Sequence, residues 1–137
     1  MAEFSPAWWL PGRHAQTVFP ALFRKAPIVP LTPERLELPD GDFVDLRWGP
    51  PGHGLVVIGH GLGGNERSVY VRGLVAELAR RGIGSVVMIA RGAGDQPNRL
   101  QRSYHAAAWD DLGTVISRLN TRHPRQPLAA CGFSLSG

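Results

Sequence analysis

Three short apolar runs, over 54–59, 85–90 and 128–133, constrain this chain more than any other feature. Unbroken apolar runs of this length, bounded by glycine, are what a strand buried on both faces of a sheet looks like. Between the first two, Val71, Leu74, Val75 and Leu78 recur at i, i+3, i+4 and i+7. That spacing predicts a helix over 68–81, with Gly82 suited to its C-terminal stop. Between the last two, Leu112, Val115, Ile116 and Leu119 form the stripe of a second helix over 106–121. Asp110 and Asp111 fall in its early turns, where the helix dipole favours acids, and Pro124 ends it. Strand, helix, strand, helix, strand with continuous apolar strands predicts right-handed crossovers, a parallel sheet and helices on its faces. Ligands in such sheets bind beyond the carboxyl ends of the strands, so chemistry is expected after Ile58, Ala90 and Phe133.

Upstream of the first run, Leu36 and Leu38, then Val44, Leu46 and Trp48, alternate with polar residues around Asp40-Gly41, which predicts a β-hairpin. Residues 1–33 carry six prolines, a density that argues against a long helix and against a central strand. They are expected to form a proline-rich extension anchored by Trp8 and Trp9, with 34–137 forming the α/β unit. At 43% hydrophobic and 19% charged residues, the chain has the composition of a folded domain. Its net charge of +4 comes from scattered arginines, with Lys25 the only lysine, so no basic stripe points to nucleic acid. No apolar run approaches the ~20 residues that span a bilayer. Met1–Pro6 contains Glu3 and Pro6 and no basic stretch, unlike a secretory signal. Cys131 is the only cysteine, which excludes an internal disulfide and fits a reducing, cytoplasmic setting. No His, Cys, Asp and Glu set has metal-ligand spacing, so no metal is expected.

Two turns carry the candidate chemistry. After the first strand, Gly59, Gly61 and Gly64 match G-x-G-x-x-G, the dinucleotide fingerprint. The acid that such a site places about 20 residues on is missing, because the next strand ends in Ala90-Arg91. An NADP-binding oxidoreductase, with an arginine receiving the 2′-phosphate, therefore stays open as an alternative. After the third strand comes Gly132-Phe133-Ser134-Leu135-Ser136-Gly137, a serine among small residues where a strand gives way to a helix. That is the sequence context of a nucleophile elbow, with Ser136 where the strict G-x-S-x-G pattern has glycine. The residue after the nucleophile supplies one oxyanion N–H, here Leu135. The turn after the earlier strand supplies the other, here Leu62. Arg91, Arg99 and Arg102 lie in the loop beside this site, where they can either meet an anion or fix the loop through carboxylates and carbonyls.

The combined motifs resemble the YheT-like α/β-hydrolases, the family of the embryogenesis-associated plant hydrolases and the α/β-hydrolase-domain esterases. The residues that carry the resemblance are His14-x-Gln16-Thr17, His60-Gly61-Leu62-Gly63-Gly64, Tyr70-x-Arg72-Gly73-Leu74, Arg81-Gly82, Arg91-Gly92, Pro97-Asn98-Arg99, Tyr104-His105 and Gly132-Phe133-Ser134-Leu135. The resemblance implies a partial α/β-hydrolase fold that ends at the nucleophile elbow. It implies a serine hydrolase of carboxylic esters, with Ser134 as nucleophile, Leu62 and Leu135 as oxyanion donors, no cofactor, and a small-molecule ester or lipid as substrate. In this fold the triad acid and histidine follow the serine. All five histidines (His14, His53, His60, His105, His123) and every carboxylate precede Ser134. The chain alone is accordingly expected to be inactive, with His105 the upstream residue nearest to a substitute base. A non-catalytic remnant of the fold is the third reading.

Overall fold

The computed structural model describes residues 7–10, 12–105 and 109–137. Met1–Pro6, Pro11 and the expected helix start at Ala106 lie outside them. The chain forms helix α1 (Arg13–Phe23), strands β1 (Thr32–Glu37), β2 (Phe43–Trp48) and β3 (Leu55–Gly59), helix α2 (Val69–Arg80), strand β4 (Gly84–Ile89), helix α3 (Trp109–Arg122) and strand β5 (Leu128–Gly132). A single 3₁₀ turn, Ser134–Ser136, follows β5.

One five-stranded sheet has the order β1-β2-β4-β3-β5. The predicted hairpin is its antiparallel edge, with Leu36 opposite Val44. Pro33 lies in β1, where an edge strand tolerates a missing N–H. β2 runs antiparallel to β4, while β4, β3 and β5 are mutually parallel. The sheet is thus mixed, and its parallel part is the one that the apolar runs predict. One face buries Leu46, Val57, Val86 and Met88 against Val115 and Leu119 of α3. The other buries Ile58, Val87 and Ile89 against Val71 and Val75 of α2. Each helix presents its predicted stripe, and helices cover both faces. Gly82, at φ 69°, closes α2 as the sequence suggests, with Ile83 N–H donating to Leu78 O at 2.9 Å. No helix among the described residues is long and apolar enough to cross a membrane.

Two expectations need correction. The proline-rich segment contains an 11-residue helix, α1, with Pro20 inside it. Pro20 removes a single N–H, which the helix survives because it is short and exposed, and flanking bonds such as Gln16 N–H to Gly12 O (3.2 Å) persist. Trp8 and Trp9 do not anchor in the core. Trp8 is 90% exposed, and Trp9 packs edge-on against Phe19 of α1. β5 is the second correction: Ala129, Ala130 and Gly132 are exposed where a buried strand is expected, and among the described residues β5 pairs with β3 alone.

Arg91, where the chain leaves β4, ties the loops to this frame. Only 2% exposed, it forks onto Asp111 of α3 (2.8 and 2.7 Å), with a third bond to Asp42 before β2 (3.1 Å) and an ion pair to Asp40 (2.7 Å). Burial pushes the Asp42 carboxyl up, but bonds from Asn98, Arg99 N–H and Phe43 N–H and the Arg91 charge outweigh it and hold it at about 2. Because this value lies below the ordinary one, the stabilisation from Asp42 is complete above about pH 4 and is lost as pH falls toward 2. Arg91→Met strands the buried carboxylates without a counter-charge and is expected to cost about 3–5 kcal/mol at pH 7. In urea titrations that loss should shrink as pH is lowered, because protonation removes the charge that Asp42 carries without its counter-ion. A loss under about 1 kcal/mol, or one independent of pH, contradicts this account.

Candidate active site

β3 and β5 are neighbours in parallel register, with Gly59 opposite Gly132, so the chain leaves both strands at the same level. Phe133 N–H donates to Gly59 O at 3.1 Å and extends the pairing one residue past the strands. The chain then turns sharply. Ser134 has φ 53°, and it is the only non-glycine residue among those described with positive φ. An L-residue held there stores about 1–3 kcal/mol of strain, which the surrounding structure must support. Support comes from Ser136 N–H to Phe133 O (3.1 Å) and Gly137 N–H to Ser134 O (3.0 Å). The turn is tight enough that a Cβ on Gly132 would lie 1.7 Å from Ser136 O, so only glycine fits at 132. Ser134 is exposed, and its hydroxyl has no hydrogen-bond partner among the described residues.

Ser136, the departure from the strict elbow pattern, has a specific accommodation. Its Oγ donates to His60 O at 2.6 Å, joining the elbow to the first glycine turn. Its Cβ lies 2.8 Å from where a Cβ on Gly59 would stand. The side chain that the pattern omits at 136 occupies the space that glycine leaves at 59.

The first glycine turn closes against Ser134 from the other side. A Cβ on Gly61 would be 3.3 Å from Ser134 Cβ and 3.4 Å from Phe133 O. His60 is buried and has both ring nitrogens engaged. Ala90 N–H donates to Nε2 at 3.1 Å, so Nε2 carries the lone pair and Nδ1 carries the proton, which it gives to Gly61 O at 2.9 Å. The Gly61–Leu62 peptide is therefore held through its carbonyl. Gly61 N–H donates to Tyr70 Oη (3.0 Å), Gly63 N–H to Tyr104 Oη (2.8 Å) and Gly64 N–H to Gly61 O (2.9 Å). Leu62 N–H and Leu135 N–H have no acceptor among the described residues. Neither tyrosine's role is legible in the sequence, since Tyr104 reaches the turn from the far end of a loop.

The loop arginines pair with carboxylates and carbonyls, Arg91 in the interior and Arg99 and Arg102 at the surface. Besides the Arg91 fork, Arg99 binds Glu37 and donates to Gly41 O at 2.8 Å. Arg102 lies 3.6 Å from both Asp40 and Asp110. This removes the feature that kept the dinucleotide alternative open: Arg91 is buried on its three aspartates and is not presented to a 2′-phosphate. Two N–H groups that a pyrophosphate would need are also already bonded to tyrosine hydroxyls. His105 is exposed at the end of the same loop and lines a cavity of about 230 Å³ with Leu112, Cys131, Leu135 and Ser136, on the α3 side of the elbow.

A sheet of order β1-β2-β4-β3-β5, with a strained serine in the turn after β5, is the architecture of an α/β-hydrolase. A family model described as "Serine aminopeptidase, S33" matches residues 50–137. The chain is 42% identical to the "Putative esterase YheT" of Escherichia coli over 99% of its own length and 42% of the relative's. It is 33% identical to "Protein abhd-3.2" of Caenorhabditis elegans, over 98% of this chain and 38% of that one. Among solved structures, the Pyrococcus furiosus esterase Pf2001 superposes with a TM-score of 0.65 at 16% identity, over 79% of this chain and 43% of that chain, a likeness of fold. This chain belongs to the YheT-like family of α/β-hydrolases. It spans about two fifths of the length of these relatives.

The exchange of space between positions 59 and 136 is directly testable. Gly59→Ala should destabilise the protein by about 1–3 kcal/mol through overpacking. Adding Ser136→Gly should recover most of that loss, because it removes the atom that the new Cβ meets. Chemical denaturation of both single variants and the double variant measures the coupling. Additive losses in the double variant contradict the packing described.

Proposed function

We propose that these residues form the nucleophile and oxyanion side of a serine hydrolase that cleaves carboxylic esters of small molecules or lipids. Ser134 Oγ attacks the ester carbonyl carbon. The oxyanion that forms is held by Leu62 N–H and Leu135 N–H, the carbon–oxygen bond to the alcohol breaks, and water then releases the acid from the acyl-serine. The observation that carries this reading is the pairing of a strained, exposed Ser134 with those two unbonded N–H groups on the turns flanking it. The names of the esterase relatives support it in kind.

Deprotonating Ser134 needs a general base. Among the described residues, His60 has both ring nitrogens committed and no histidine is hydrogen-bonded to Ser134. In this reading the base and its acid partner follow Gly137, in the order Ser, acid, His. The setting proposed is cytoplasmic, consistent with the single cysteine.

In the whole natural protein that carries these residues, a fluorophosphonate probe should label Ser134, and Ser134→Ala should abolish both labelling and esterase turnover. Loss of a serine nucleophile costs on the order of 10⁶ in kcat in a comparable triad enzyme. Undiminished labelling in the variant would overturn the assignment. The 137 residues alone should hydrolyse p-nitrophenyl acetate no faster than their Ser134→Ala variant. A drop of about tenfold or more on that substitution would place a base among the residues upstream.

A further inference from the structure

The glycine turn between β3 and α2 has four consecutive N–H groups, at Gly61, Leu62, Gly63 and Gly64, and three of them are spoken for. Two of those three bonds go to tyrosine hydroxyls that bracket Leu62 on either side. The two tyrosines are built alike. The Tyr70 ring packs on Phe133, the residue before Ser134, at 4.7 Å between centroids, while its Oη accepts Gly61 N–H. The Tyr104 ring stands edge-on to His60 at 5.7 Å and 77°, while its Oη accepts Gly63 N–H. Gly64 makes the room: a Cβ there would lie 2.4 Å from Tyr70 Oη.

We propose that Tyr70 and Tyr104 are positioning residues that fix the Gly61–Gly64 turn so that Leu62 N–H alone is left to receive the oxyanion. The inference rests on the esterase reading above and assigns it two residues outside the reacting set. Its physical content is preorganisation. Fixed side-chain oxygens replace water on the N–H groups next to the working one, so the turn cannot rotate a neighbouring N–H into its place when charge develops. His60 holds the same peptide from its carbonyl side. Tyr70 also sets the gap between the turns, because ring and hydroxyl contact the two of them at once.

The test replaces each hydroxyl alone, as Tyr70→Phe and Tyr104→Phe, in the whole natural protein. Misplacing an oxyanion donor should lower kcat by about tenfold to a hundredfold. KM should stay within about twofold, since the ground state makes no use of the donor. The inhibition constant of a trifluoromethyl ketone, whose hemiketal oxygen occupies the oxyanion position, should rise by the same factor as kcat/KM falls. A merely structural role predicts a lower melting temperature without that proportionality. Unchanged kcat, or a kcat loss with an unchanged ketone constant, would overturn the proposal.

Amide hydrogen exchange on the unmodified protein gives a second test that needs no variant to fold. Leu62 should exchange fastest in the turn, with Gly61 and Gly63 protected, and Gly61 or Gly63 exchanging as fast as Leu62 would also overturn the proposal. Failure of the esterase reading has a different signature. A Ser134→Ala protein with full turnover removes the chemistry and leaves the exchange pattern of the turn as it was.

Discussion

Parallel pairing of β3 with β5, Gly59 opposite Gly132, is the contact on which the site depends. Each strand delivers one glycine turn, and the sheet register alone decides that the turns arrive side by side. A one-residue slip would move every side chain of β5 to the other face and carry Ser134 away from Gly61. Two glycines answer to this closeness: Gly59 admits Ser136 Cβ, and Gly61 admits Ser134 Cβ. Gly132 answers to the tightness of the elbow itself, where it admits Ser136 O. Ser136 then uses the same closeness, donating to His60 O across the two turns. The β3–α2–β4 connection leads to one side of β3 and the β4–α3–β5 connection returns to the other, so the carboxyl end of β3 lies where such sheets bind ligands.

A second constraint keeps the surroundings of that point in place. The Arg91 fork joins the end of β4, the hairpin entry at Asp40 and Asp42, and α3 through Asp111. Asn98 extends it, donating to Asp42 (3.0 Å) and to Phe43 O (2.8 Å) while accepting Gly92 N–H (2.8 Å). The loop from Arg91 to His105 thus crosses the sheet end as a bonded structure rather than a free span, and it delivers Tyr104 to Gly63 N–H. Buried ion clusters of this kind contribute little net stability against an apolar equivalent, but they are costly to break and they fix one geometry.

The parallel core was legible because its signals are local. Val71 and Val75, or Val115 and Leu119, declare a helix face by spacing alone, and all four are fully or almost fully buried. Ser134 and the two glycine turns were legible as motifs, since an elbow needs small residues at fixed offsets. The departures have physical causes that spacing does not carry. α1 forms although Pro20 lies within it, because one missing N–H in a short exposed helix is tolerable. Tyr70 and Tyr104 stand in recognisable motifs, yet nothing in sequence spacing says that their hydroxyls meet at one turn. The partner of Arg91 was equally out of reach, because Asp42 and Asp111 come from either side of it in the chain.

The central claim is that Ser134, Leu62 and Leu135 act on one reacting carbonyl. A crystal structure of the whole natural protein after reaction with a dialkyl fluorophosphate tests it most directly, since the phosphoryl oxygen mimics the oxyanion. The account predicts phosphorus bonded to Ser134 Oγ, with that oxygen at about 2.7–3.1 Å from both Leu62 N and Leu135 N. Phosphorus on another residue, or a phosphoryl oxygen turned to solvent away from both N–H groups, would contradict it.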